Sequence, residues 1–205
     1  MFVVSLYSVE MERQAANKVE FNRALMNAFK EQFQDVWLKA GDQTDAIPAH
    51  KIILVARSKV FRNILESDDF KASLSKETIT LSEMKHDELE TFLDFIYNGS
   101  LPDTKMRQHV RILYVAAYIY EIPHLQDLCR NLLIVSLNTT NVFDVLELAK
   151  IHSDTVLEHE VSEFIISHME GVSYSSKFMS FVESNPALTV QMIRGHVNRV
   201  NRLEK

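Results

Sequence analysis

The chain has 205 residues, 46% of them apolar and 24% charged, with four glycines and four prolines. That length can bury a sizeable core in one large domain or two small ones, and so little Gly and Pro excludes fibrous and disordered classes and favours helix. Acidic side chains outnumber basic ones by 28 to 22, a formal net charge of −6, and no long basic stripe is available to pair with phosphates, so nucleic acid is not an expected partner.

The single cysteine, Cys129, can form neither an intramolecular disulfide nor a thiolate zinc site, which fits a reducing compartment. The N-terminal MFVVSLYSVEMER has no basic leader, apolar core of signal length or cleavage pattern, so export is not expected. Residence in the cytoplasm, the nucleus or both is the expectation, and the sequons at Asn98 and Asn138 then read as chance matches. The longest apolar runs, from Ile52 and from Leu132, fall far short of the roughly 18 residues a bilayer span needs. No membrane partner is expected.

From Arg13 to Phe33 the spacing of Phe21, Leu25, Phe29 and Phe33 predicts a helix with one apolar stripe, to be buried against its own core or a partner. Val36 and Leu38 alternate with Trp37 and Lys39, break at Gly41-Asp42 and resume at Ala46-Ile47-Pro48, the pattern of a hairpin. The run from His50 to Leu65 reads as two short helices split at a capping Ser58, and the segment around Ile79 and Leu81 reads as a strand. Leu89, Phe92, Leu93 and Ile96 form the face of a helix stopped by Asn98-Gly99. Helices follow over Val110–Tyr120, over Leu125–Leu137 with Pro123 in the first turn, and over Val142–Lys150 behind a cap at Asn138 or Thr140. Ser153 or Asp154 starts another, running to Met169 and ended by Gly171, and Pro186 begins the last. All four prolines fall at element edges. The seam between a strand-plus-helix half and an all-helical half lies near Leu137-Asn138.

No constellation reads as catalytic. The glycines at 41, 99, 171 and 195 are too scattered to cradle a phosphate, so no nucleotide cofactor is expected. HEVSE at His159 opens like a metalloprotease helix, but Glu163 stands where the second His must be, and His159, Glu160 and Glu163 read as a solvated polar face. Cys129 and His124 lie on different sides of a helix, which makes Cys129 a buried apolar residue rather than a nucleophile. Arg194, His196, Arg199, Arg202 and Lys205 read as a solvated helix C-terminus, where cations are favoured. Phe70 is an isolated aromatic in an acidic loop, able either to fold back on the core or to anchor a partner.

Taken in order, Asp35-Val36 with Leu38 and Gly41, then IPAHKIILVARSKVFRNIL from Ile47, ITL at Ile79, FLDFIYNGSL from Phe92, LYVAAYIYEIPHLQDLC from Leu113 and LNTTNVFDVLELA from Leu137 resemble the BTB/POZ domain followed by BACK-like helices. LKAGD and LSEMKHDELE are similar to the short plant BTB/POZ proteins in particular, and the BTB part also resembles that of speckle-type POZ adaptors. The resemblance implies an α+β, mostly helical fold: an N-terminal segment 1–19 that is partly disordered, a BTB/POZ domain over 20–137 with a small sheet flanked by helices, and an all-α BACK-like region over 138–205. It implies a homodimer built on Phe21, Leu25 and Phe29, with Asp35 and Lys51 near the charged pocket of that interface. It further implies a substrate adaptor of a cullin-3 RING ubiquitin ligase, contacting the cullin through Phe70, Tyr97 and Asn98, with no catalytic residue, cofactor or metal. The family often carries Glu two positions after the apolar residue of the cullin loop, whereas Phe70 is followed by Lys71 and Ala72. The alternative is a homo- or hetero-oligomerising scaffold in transcriptional or signalling complexes. No MATH, kelch or zinc-finger module is expected in this length, and the substrate protein is left unassigned.

Overall fold

The computed structural model describes residues 32–42, 45–67 and 78–203, together with the helical residues Arg13, Asn17, Glu20, Phe21, Ala24 and Ala28. The chain divides into two compact units, 1–125 and 126–205.

The first unit is organised by β1 (Val36–Ala40), whose period-2 pattern buries Val36, Leu38 and Ala40 while Trp37 and Lys39 are half-buried. β2 (Ala46–Ala49) runs antiparallel to it, pairing Leu38 with Ile47, and β3 (Thr78–Leu81) runs parallel on its other side, pairing Leu38 with Ile79 and Ala40 with Leu81. The order β2-β1-β3 makes β2 an edge. Pro48 therefore sits inside a strand rather than at an element boundary, a correction to the sequence reading, and the edge position tolerates its missing N–H. At the end of β1, Gly41 donates its N–H to the Met84 carbonyl at 2.9 Å, and a Cβ there would lie 2.5 Å from the Ser82 oxygen. Only glycine permits that approach.

α1 (Lys51–Arg57) and α2 (Lys59–Glu66) are separated by Ser58 as expected. The buried Ser58 hydroxyl accepts from the Phe61 N–H at 3.1 Å and donates to the Tyr120 carbonyl at 2.6 Å, so one cap also ties α2 to a residue 62 positions later. Phe61 stacks on Tyr120 with ring centroids 4.6 Å apart, and Phe92 leans on both. α3 (His86–Asn98) begins with Glu88 reaching back to accept the Lys85 N–H at 2.8 Å, and its acidic first turn suits the helix dipole. It stops at Gly99, whose φ of 69° is the left-handed conformation an L side chain resists. α4 (Asp103–Ile119) starts well before Val110, because Pro102 sets the helix start ahead of a polar first half in which only Met106 is buried.

α5 (Pro123–Val135) follows, and the division between the units falls inside it. In the second unit α6 (Val142–Ile151) packs on α7 (Thr155–Ser167), with Val145, Leu146, Ala149, Leu157, Val161 and Ile165 buried. Asn141 occupies the α6 cap position without a side-chain cap bond, so neither Asn138 nor Thr140 is the cap. Asn138 instead folds its own turn, its side-chain Oδ1 accepting the Thr140 and Asn141 N–H groups at 2.9 and 3.1 Å. Of the two candidates for α7 it is Asp154 that caps, accepting from the Leu157 N–H at 3.1 Å and holding Arg130 at 2.7 Å. α7 ends at Ser167, earlier than expected, and Gly171 lies within the next helix, α8 (Met169–Ser173), where Thr139 packs against it. A further short helix, α9 (Phe178–Ser184), was not legible in its Ser- and Phe-rich sequence, and α10 (Pro186–Leu203) closes the unit.

Candidate functional site

Two of the residues that the resemblance groups as an interface, Asp35 and Lys51, meet where 32–36 joins 49–52. The Asp35 N–H donates to the Ala49 carbonyl at 3.1 Å, and the Asp35 carboxylate accepts the Lys51 N–H at 2.8 Å. Because α1 has no acidic residue in its own first turn and His50 makes no side-chain cap bond, Asp35 supplies the negative charge that its N-terminus favours. Asp35 thus meets Lys51 through the Lys51 backbone.

His50 locks the same junction from inside. It is buried, with Nε2 2.6 Å from the Gln32 carbonyl and Nδ1 2.6 Å from the Tyr97 hydroxyl, while its own backbone N–H donates to that hydroxyl at 3.1 Å. A carbonyl only accepts, so Nε2 carries a proton toward Gln32, and in that tautomer the Tyr97 hydroxyl donates to Nδ1. Burial pushes the Tyr97 hydroxyl up to about 12, with the Asp35 charge adding to the rise and the His50 N–H opposing it. Sequence reasoning missed His50. Its signal was a lone histidine directly behind an alternating strand, a place where a buried imidazole needs two partners.

Around this polar clamp the surface is apolar. Phe33 is 80% exposed with a φ of 63°, and Ile52 is 75% exposed. On the preceding helical segment Phe21 is 71% exposed. A left-handed, solvent-facing phenylalanine is an unfavourable conformation in an unfavourable environment, held by the Gln32 and Asp35 bonds on either side of it. Leu25 and Phe29 lie outside the described residues, as does Phe70. Tyr97 is 4% exposed, yet its edge joins Ile47, Pro48, Leu93 and Lys105 in lining a half-open cavity of about 370 Å³. Asn98 is half-buried, donating to the Asp94 carbonyl at 2.9 Å, and its buried side-chain oxygen has no hydrogen-bond partner among the described residues. The structure therefore brings Asp35, Lys51 and Tyr97 to one junction, although the sequence had assigned Tyr97 to a different surface.

The residues weighed for chemistry are placed elsewhere. Cys129 is fully buried and its thiol is pushed up to about 12 by burial, while His124 is exposed and leans on Phe95. His159, Glu160 and Glu163 are exposed on α7. Among the described residues no group of three His, Cys, Asp or Glu side chains could hold a metal ion, and no helix is long and apolar enough to cross a membrane.

A family model of the BTB/POZ domain matches residues 25–137. The chain belongs to the BTB/POZ family. A putative BTB/POZ domain-containing protein of Arabidopsis thaliana is 46% identical over 196 residues, covering 93% of this chain and 94% of the relative. A second BTB/POZ domain-containing protein of the same plant is 44% identical over 193 residues, covering 94% and 92%. Among solved structures the BTB domain of zebrafish PATZ1 is similar at 20% identity with a TM-score of 0.44, covering 60% of this chain and 95% of that one. The BTB/POZ domain is a protein–protein interaction module, and the apolar rim about the Asp35–Lys51 junction is chemistry suited to that role.

Proposed function

We propose that this BTB/POZ protein is a homodimeric substrate adaptor of a cullin-3 RING ubiquitin ligase, acting in the cytoplasm or nucleus without a catalytic residue or cofactor of its own. In this reading a BTB/POZ domain over 20–137 carries the dimer and cullin surfaces, and a BACK-like region over 138–205 extends the latter.

The observation that carries the dimer is the exposure of Phe33 and Ile52 beside a polar clamp, together with that of Phe21. Fully burying each such side chain contributes roughly 1.5–3 kcal/mol, and a two-fold interface counts each one twice. The cullin reading is supported by the family membership and by the helix pair α6–α7, whose connection exposes Ile151 and Val156 while Leu146 and Leu157 hold the pair together from within. Tyr97, 4% exposed, enters as a positioning residue of the first unit. The full chain mixed with the N-terminal region of cullin-3 is expected to co-elute with it stoichiometrically, and Phe70→Asp is expected to abolish this. A wild-type chain indifferent to the cullin would end the adaptor reading.

A second reading, an oligomerisation scaffold without a ligase, is favoured by Ala72 standing where the family often has Glu. It predicts that affinity capture returns this chain or other BTB proteins and no cullin. In both readings Phe21→Asp shifts the chain from dimer to monomer in light scattering.

A further inference from the structure

Asn98 is the only asparagine in the sequence that is followed by glycine. A following residue without a Cβ leaves its main-chain nitrogen unhindered, and this exposes the asparagine side chain to attack from its own backbone. Once a base in solution takes the proton from the Gly99 nitrogen, that nitrogen can bond to the Asn98 side-chain carbonyl carbon, closing a succinimide ring as ammonia leaves. Water then breaks one of the two ring carbonyl–nitrogen bonds and gives Asp or isoAsp. The net change is one water taken up and one ammonia released, with no oxidant or reductant involved.

The fold holds every part of this reaction apart. Asn98 is the last residue of α3, and from a helical residue the next N–H points back along the axis, away from that residue's own side chain. The Gly99 N–H does so, donating to the Phe95 carbonyl at 2.7 Å, and the left-handed φ of 69° at Gly99 completes the cap. The Asn98 Nδ2, which would depart as ammonia, donates to the Asp94 carbonyl at 2.9 Å, while Oδ1 is buried. The attacking and departing nitrogens are thus bonded to different carbonyls of one turn. Phe95, Ile96 and Tyr97 anchor that turn from within, each at most 4% exposed.

We propose that Asn98 is a deamidation site shut by the closed C-terminal turn of α3, so that its conversion to Asp or isoAsp marks chains in which that turn has opened. Loss of ammonia makes the mark permanent. IsoAsp carries an extra methylene in the main chain ahead of Gly99, which takes the Gly99 N–H away from the Phe95 carbonyl. Asp places an oxygen where the Nδ2 donor met the Asp94 carbonyl. The site requires neither the dimer nor the cullin.

The test holds the full chain in slightly alkaline buffer, folded or in urea above its unfolding transition. IsoAsp is measured with a protein isoaspartyl methyltransferase and located by peptide mapping. Residue 98 is expected to convert in urea, and at least about tenfold more slowly in the folded chain, a factor that corresponds to about 1.4 kcal/mol of opening free energy. Asn98→Ala is expected to remove the signal in both conditions. After urea is withdrawn, the isoAsp chain is expected to lack the Gly99 amide protection that an unconverted chain regains in hydrogen exchange. Equal rates in the folded and unfolded chain, no conversion at residue 98 in urea, or a signal that Asn98→Ala retains overturns the proposal. So does full Gly99 protection in the isoAsp chain, because the turn would then close over its own mark.

Discussion

Among the described residues the His50 ring is bonded to Gln32 on one side and Tyr97 on the other, and these set its tautomer. Tyr97→Phe keeps the ring volume and removes only the oxygen, leaving both the His50 Nδ1 and the His50 N–H without their partner. A buried polar group stripped of its hydrogen bond costs about 1–3 kcal/mol. The variant is therefore expected to lose stability in that range in urea unfolding, and the His50 amide to exchange faster in hydrogen-exchange spectra. Wild-type protection in the variant would show that the clamp contributes nothing. Tyr97 lies one helical turn beyond Leu93 on an apolar face and is buried, whereas the resemblance had assigned it to a cullin contact. Its bond to His50 was not, because nothing in the local pattern of either segment names a partner 47 residues away.

Helix boundaries in this chain follow cap chemistry more closely than apolar periodicity. Ser58, Asp154 and Gly99 mark ends that the sequence shows, because each residue type does there what its own backbone or side chain favours. Where caps come from a distance the reading fails: Asp35 serves α1 from the far side of a strand pair, and α4 begins in a polar stretch that only Pro102 announces. Ser58 carries two roles at once. Ser58→Ala removes the acceptor for the Phe61 N–H, worth about 1–2 kcal/mol for a helix cap, and it also strands the buried Tyr120 carbonyl. The loss should therefore reach or exceed the upper end of that cap range, while Ser58→Thr, which keeps the hydroxyl, should recover part of it. Chemical denaturation of the three proteins checks this, and an alanine variant within a few tenths of a kcal/mol of wild type would contradict it.

At the scale of the whole molecule, the α+β class was legible from two periodicities meeting in one chain. The order of the sheet was not, since a parallel β1–β3 pairing rests on long-range contacts that no short window contains. Stability at alkaline pH is likewise a property of both units together. The Cys129 thiol in the second unit is raised from 9.0 to about 12, and the Tyr97 hydroxyl in the first from 10.0 to about 12. Above about pH 9 the unfolded chain releases these protons while the folded chain keeps them, so the unfolded state binds fewer protons and the free energy of unfolding falls as pH rises. The contribution is fully present below the unfolded values and is lost as pH climbs toward 12. Each fully buried group steepens the fall by at most about 1.4 kcal/mol per pH unit. Cys129→Ala lowers stability at neutral pH by opening a small void, yet it is expected to flatten the decline between pH 9 and 12, because one of the protons has gone from both states. Urea midpoints measured across that range separate the level from the slope. A variant whose slope matched wild type would place the alkaline sensitivity on the tyrosines alone, with Tyr120, raised by burial and by its bond to Glu83, joining Tyr97.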